Sequence, residues 1–222
     1  MEQDILCSLF EGNMLESDRR RRGNLVKEGE IGKATIAIIL VNSIVLLVNI
    51  FDGGGSIWGL FLSGGGYVKE YGELTYVAVF HRNEWWRLFT CGYIHLGIIH
   101  LYFNGMALLL IGSKMEKKLG SYYYLAVFHI GMIITAFLWC LIFREDSMVG
   151  ASLGIFVLFG IYMVCQWKGT EGMDFQMPKN QWISFLAYAL ISSFLGITTF
   201  VVHVIGFGVG VLFGQLSKSR KD

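Results

Sequence analysis

Six apolar stretches in this chain approach the ~20 residues that a helix needs to cross a bilayer core. They are residues 34–51, 91–112, 122–143, 149–167, 182–196 and 197–216. In hydrocarbon every backbone polar group must be satisfied within its own segment, so runs of this length fold as helices. Composition agrees: 54% of the 222 residues are hydrophobic and 16% are charged, which is too apolar for an ordinary soluble domain. A single proline and 28 glycines suit a bundle whose helices approach closely at small residues. The expected fold is all-α, a polytopic membrane protein of six transmembrane helices over 34–216, flanked by tails at 1–33 and 217–222.

Lysines and arginines near the helix ends set the expected orientation. They fall in the N-terminal tail (Arg19 to Arg22, Lys27, Lys33), the 113–121 loop (Lys114, Lys117, Lys118), the 168–181 loop (Lys168, Lys179) and the C-terminal tail (Lys218, Arg220, Lys221). With six spans these segments share one side, so both termini are expected in the cytoplasm, and a bacterial inner membrane suits the small chain. The acidic, mixed start of the tail does not read as a cleaved signal, and Arg19 to Arg22 read as a topology signal. The 144–148 loop, a tight turn at Gly196 to Thr199, and the long 52–90 segment then face outward. That segment is rich in glycine and aromatics and is expected to lie in the interface as short pieces, with Trp58, Trp85 and Trp86 at headgroup depth.

Cys7, Cys91, Cys140 and Cys165 show no metal-ligand spacing and are expected to be free or buried thiols. No metal or cofactor is expected. There is no long basic stripe, so nucleic acid is not an expected partner; the lipid bilayer is.

Polar side chains are costly within apolar spans and mark function by default. Ser152 lies in the fourth stretch, His203 in the sixth, and His95, His100 and Asn104 in the second. Counted from the outer ends at 1.5 Å per residue, Ser152 lies about one turn in, His203 about 9 Å and His100 about 13 Å. All three fall in the outer half of the membrane, where they can converge. A serine hydroxyl becomes a useful nucleophile when a neighbouring base takes its proton, and histidine suits that role near neutral pH. Ser152 opens a helix after Gly150 and Ala151, which leave room for a carbonyl beside the unpaired N–H groups of a helix start. His100 and Asn104, spaced i, i+4, share a helix face and can add donors to an oxyanion hole. His95 does not share that face; its expected role is structural, holding the outer segment by hydrogen bonds. Together these residues suggest hydrolysis of an acyl bond within a membrane.

Gly150-Ala151-Ser152-Leu153-Gly154 also matches G-x-S-x-G, and Asp174 falls between Ser152 and His203. That nucleophile elbow needs a parallel sheet, whereas this chain has consecutive membrane-length runs, and Asp174 is expected on the opposite side. The elbow reading is rejected.

Over roughly residues 70–215 the chain resembles the rhomboid family of intramembrane serine proteases. The resemblance rests on Glu84-Trp85-Trp86-Arg87, on His95, His100 and Asn104 in H-x4-H-x3-N, on Glu116 and Gly120 in E-x3-G, on Gly150-Ala151-Ser152, and on His203, Gly206 and Gly210 in H-x2-G-x3-G. It implies Ser152 as nucleophile and His203 as general base, a dyad without an aspartate. It implies an oxyanion hole from His100, Asn104 and the Ser152 N–H. It further implies that Phe156 packs on the catalytic histidine, that Gly206 and Gly210 let the sixth helix pack on the fourth, and that transmembrane protein substrates are cut near the outer face. The outer loop and the fifth helix are then candidates for a lateral gate. One departure is Leu153, where the family has glycine. Leu153 is placed to push the fourth helix from the sixth and lengthen the Ser152–His203 contact, with Gly154 partly compensating. A catalytically inactive relative that binds transmembrane helices and controls their trafficking or degradation is the alternative. A proton path through His95, His100 and His203 is disfavoured, because the six stretches contain no paired acid.

Overall fold

Lys33–Asp52 forms the first long helix, α1. The computed structural model describes residues 31–52, 61, 66–168, 178–193 and 196–216. The expectations for Cys7, Arg19 to Arg22, Trp58, Asp174 and the tails fall outside those residues. Four described helices are long and apolar enough to cross a membrane: Lys33–Asp52, Ile98–Leu119, Ser121–Ile142 and Ile197–Gln215. Two shorter ones, Ser152–Lys168 and Lys179–Ser193, occupy the fourth and fifth stretches.

In chain order, α2 is Tyr67–Gly72, β1 Leu74–Thr75, α3 Arg87–Thr90, α4 Ile98–Ala107, α5 Ser113–Leu119, α6 Ser121–Ile142, β2 Ser147–Met148, α7 Ser152–Lys168, α8 Lys179–Ser193 and α9 Ile197–Gln215. The architecture is a helical membrane bundle, as composition implies. Helix α7 runs through its centre: every residue from Ser152 to Tyr162 is buried, as expected of a helix apolar on all sides. Its most extensive packing is against α9.

The second span differs from expectation. Helix starts at Ile98 rather than Cys91, because Cys91–Tyr93 forms a 3-10 turn and the chain then runs extended through Gly97. Close packing holds the turn: a side-chain carbon at Gly92 would lie 2.1 Å from Met132 Sδ. The far end also moves. One π-helical turn, Leu108–Gly112, carries α4 directly into α5, so the lysine-bearing segment expected as a loop is helical as far as Leu119. Met115, Glu116 and Leu119 are buried on its inner face, which gives this segment tertiary contacts that its charge obscures.

Glu116 accounts for much of that burial. Its carboxylate accepts from the N–H groups of Ala34 and Thr35 at 2.8 Å each, from Thr35 Oγ1 at 2.9 Å and from Ser121 Oγ at 2.7 Å. It thereby satisfies unpaired donors at the start of α1 and sits at the positive end of that helix.

Residues 66–90 of the long segment fold as short pieces, as expected. Trp85 and Trp86 are about half exposed there, at 47% and 55%. Arg87 is buried; Nη1 donates to the carbonyls of Glu70 (2.7 Å) and Glu73 (2.9 Å), and Nε donates to Glu84 (2.5 Å). Helices α2 and α3 are thus held together by one guanidinium. Strands β1 and β2 pair antiparallel, Leu74 with Met148 and Thr75 with Ser147, so the 144–148 loop is tied to the outer segment. Helix α9 starts earlier than expected, at Ile197: of Gly196 to Thr199 only Gly196, at φ +151, lies outside the helix. Cys91, Cys140 and Cys165 are buried and form no disulfide among the described residues.

Candidate active site

Ser152 is the first residue of α7. Gly150 precedes it at φ +127, a region that side-chain-bearing residues rarely adopt, and donates its N–H to Cys91 O at 2.8 Å. A side-chain carbon at Gly150 would lie 2.9 Å from His100 Nε2 and 3.7 Å from Ser152 Oγ. Glycine is therefore required twice here, for the turn and for the approach of the His100 ring. Gly154 and Ile155 both donate to Ala151 O at 3.1 Å, which leaves the first N–H groups of α7 as the unpaired donors of a helix start.

His203 lies on α9 with 3% exposure. Its position, six residues past Ile197, corresponds to about 9 Å along the helix. His100 is in the first turn of α4, two residues past Ile98. Ser152, His203, His100 and Asn104 line one cavity of about 430 Å³. Its other walls are mainly apolar, with Phe103, Met148, Val149 and Ile191 among them. Four of the five polar side chains singled out in the sequence therefore meet in one cavity, and His95 is not among its lining residues.

Ser152 and His203 make no direct hydrogen bond with each other among the described residues. His203 Nδ1 instead lies 3.1 Å from Ser193 Oγ, on α8. The Phe156 ring stacks on the His203 ring with centroids 4.0 Å apart and planes 11° from parallel. Asn104 Nδ2 donates to His100 O at 2.9 Å, and Asn104 Oδ1 accepts from Tyr188 Oη at 3.3 Å. The second N–H of that amide remains available.

The expectation for His95 changes. It is 1% exposed, yet neither ring nitrogen has a well-formed hydrogen bond among the described residues. Its ring packs edge-on against His100 with centroids 4.9 Å apart, so it braces His100 by contact.

Gly206 and Gly210 meet α7 as expected. Side-chain carbons there would lie 3.0 Å from Leu153 O and 2.1 Å from Val157 O, and one at Gly160 would lie 2.3 Å from Phe207 O. The two backbones touch at the level of Leu153, so that side chain, buried in the core, does not hold α7 away from α9. Gly154 faces Phe128 of α6, 2.5 Å from where its side-chain carbon would be, and therefore does not offset Leu153 against α9.

Three features escaped the sequence reading. Ser193 and Tyr188 lie in the fifth stretch, where serine and tyrosine read as ordinary packing residues. His129, on α6, contacts Tyr93 Oη and stacks with Phe89 and Tyr93. Its place inside the third apolar stretch was the available signal.

Comparison with known proteins shows the family. Residues 82–220 match the model of the Rhomboid domain. The chain is 32% identical over 148 residues to "Putative rhomboid protease YdcA" of Bacillus subtilis, covering 63% of this chain and 71% of that protein. It is 30% identical over 184 residues to "Rhomboid-type serine protease B" of Aspergillus fumigatus, covering 79% of this chain and 65% of that one. It is 30% identical over 93 residues to "RHOMBOID-like protein 7" of Arabidopsis thaliana, covering 42% of this chain and 30% of that protein. With most of the site inside the matched domain and this extent of similarity, the chain belongs to the rhomboid family.

Proposed function

We propose that this protein is an intramembrane serine endopeptidase that cleaves transmembrane helices near the outer membrane face through Ser152 and His203. The observation that carries the reading is the shared cavity, where a serine at a helix start, a histidine, and the donors His100 and Asn104 meet between apolar walls. In the reaction, Ser152 Oγ bonds to the scissile carbonyl carbon as His203 takes the hydroxyl proton. The carbonyl π electrons move to oxygen, where the Ser152 N–H, Asn104 Nδ2 and His100 donate to the oxyanion. Collapse breaks the C–N bond, and His203 returns its proton to the leaving amine. Water, deprotonated by His203, then hydrolyses the acyl ester and restores Ser152.

A stable substrate helix shields its peptide bonds, so local unwinding precedes attack. Both termini lie in the cytoplasm in this reading, which puts the site on the far side. Close packing of α7 on α9 at Leu153 supports an active enzyme. The missing Ser152–His203 hydrogen bond favours the second reading, an inactive helix-binding relative, although such bonds often tighten only when substrate is bound. Cleavage of a model transmembrane substrate by purified protein in lipid separates the two. The protease requires cleavage by wild type that is lost in Ser152→Ala and in His203→Ala. No cleavage of several unstable helices, with no labelling by a serine-reactive phosphonate, selects the helix-binding relative.

A further inference from the structure

Ser193 is the last residue of α8, and its hydroxyl sits between two partners. It lies 2.6 Å from Ala189 O, one turn back on its own helix, and 3.1 Å from His203 Nδ1. A serine hydroxyl has one proton. Ala189 O can only accept, and at 2.6 Å it is the nearer of the two acceptors for that proton, although Ser192 Oγ also donates to it at 3.3 Å. With the proton placed there, the same oxygen accepts from His203, and Nδ1 carries the hydrogen.

We infer that Ser193 is the positioning residue of the catalytic histidine, fixing His203 as its Nδ1–H tautomer and leaving Nε2 as the unprotonated nitrogen. The inference rests on the protease reading for its catalytic meaning, while the tautomer itself is a property of the resting protein. In a dyad without an aspartate, something must select which ring nitrogen is free, because only a nitrogen with an open lone pair acts as a base. The flat stack on Phe156 restrains the plane of the ring, but a ring stacked on a hydrocarbon face has no preference between its nitrogens. The hydroxyl supplies that preference.

The acceptor for His203 Nδ1–H comes from the helix that is the candidate gate. Helix α8 also supplies Tyr188, which holds Asn104 Oδ1, so α8 orients both the base and an oxyanion donor. A displacement of α8 that admits substrate releases these contacts, and its return restores them.

The test uses the full-length protein in lipid or detergent, with ¹⁵N-labelled histidine and a cleavable model transmembrane substrate. In wild type the His203 ring resonances should report the Nδ1–H tautomer. In Ser193→Ala they should shift toward a mixture, and kcat should fall by about 3- to 10-fold with KM nearly unchanged. Ser193→Thr keeps the hydroxyl and should restore both the tautomer and kcat. Equal kcat and an unchanged ring signal in Ser193→Ala overturn the inference, as does an Nε2–H tautomer in wild type. A wild-type protein that cleaves nothing sinks the protease reading instead, and the ring resonances still decide whether Ser193 selects the tautomer.

Discussion

Phe156 lies flat against His203, ring centroids 4.0 Å apart and planes 11° from parallel. The two residues come from different helices, α7 and α9, and Phe156 is one turn past Ser152 on the same helix. In the proposed dyad the nucleophile and the face that orients its base therefore move together. Such a contact is worth about 0.5–1.5 kcal/mol beyond burial. Phe156→Leu should lower kcat by about 3- to 10-fold, and Phe156→Tyr should keep most of it, in the same substrate-cleavage assay.

The dyad itself makes the strongest prediction. Ser152→Ala and His203→Ala should each reduce cleavage by about 10³-fold or more, and the double variant should be little worse than either, because residues acting as a unit are not additive. Thermal unfolding in detergent should remain cooperative in both single variants, which separates lost chemistry from lost fold.

Asn104 presents one N–H to the cavity while its other contacts are made to His100 O and Tyr188. Asn104→Ala should cost about 10²- to 10³-fold in kcat, the usual effect of removing an oxyanion donor. Tyr188→Phe leaves that donor in place but removes its brace. It should cost only a few-fold, about the worth of one neutral hydrogen bond.

The α7–α9 contact has a built-in control. A side-chain carbon at Gly210 would lie 2.1 Å from Val157 O, whereas one at Gly208 meets nothing within 4 Å. Gly210→Ala should destabilise by about 1–3 kcal/mol through overpacking and lower activity by separating Ser152 from His203. Gly208→Ala should be neutral or stabilising by up to about 1 kcal/mol. Melting temperatures of the two proteins, measured side by side, check this.

Glu116 holds the start of α1 through four hydrogen bonds. Glu116→Ala should lower stability by about 2–3 kcal/mol, since bonds to a charged group are the stronger kind and buried donors are left unpaired. Gly32→Ala should act in the same direction, because its side-chain carbon would lie 2.0 Å from Glu116 Oε2.

The sequence by itself determined the class of fold and pointed to four residues that line the candidate cavity. Runs of membrane length leave the backbone no alternative to helix, and that argument needs no knowledge of neighbours. Ser152, His203, His100 and Asn104 were legible because polar groups are costly in such runs. Gly206 and Gly210 were legible because their spacing put both on one helix face. Boundaries were less so. Cys91 to Gly97 is as apolar as a helix end, and only packing against Met132 and the turn around Gly97 takes it out of the helix. Tertiary structure alone decided the rest. Glu116 is legible as part of an E-x3-G pattern, but its partners at the start of α1 are not, and Ser193 reads as a packing serine until α8 lies beside α9. Periodicity along a chain reports which face a residue occupies, but the direction of one hydroxyl proton depends on which acceptor and which donor the fold brings within reach.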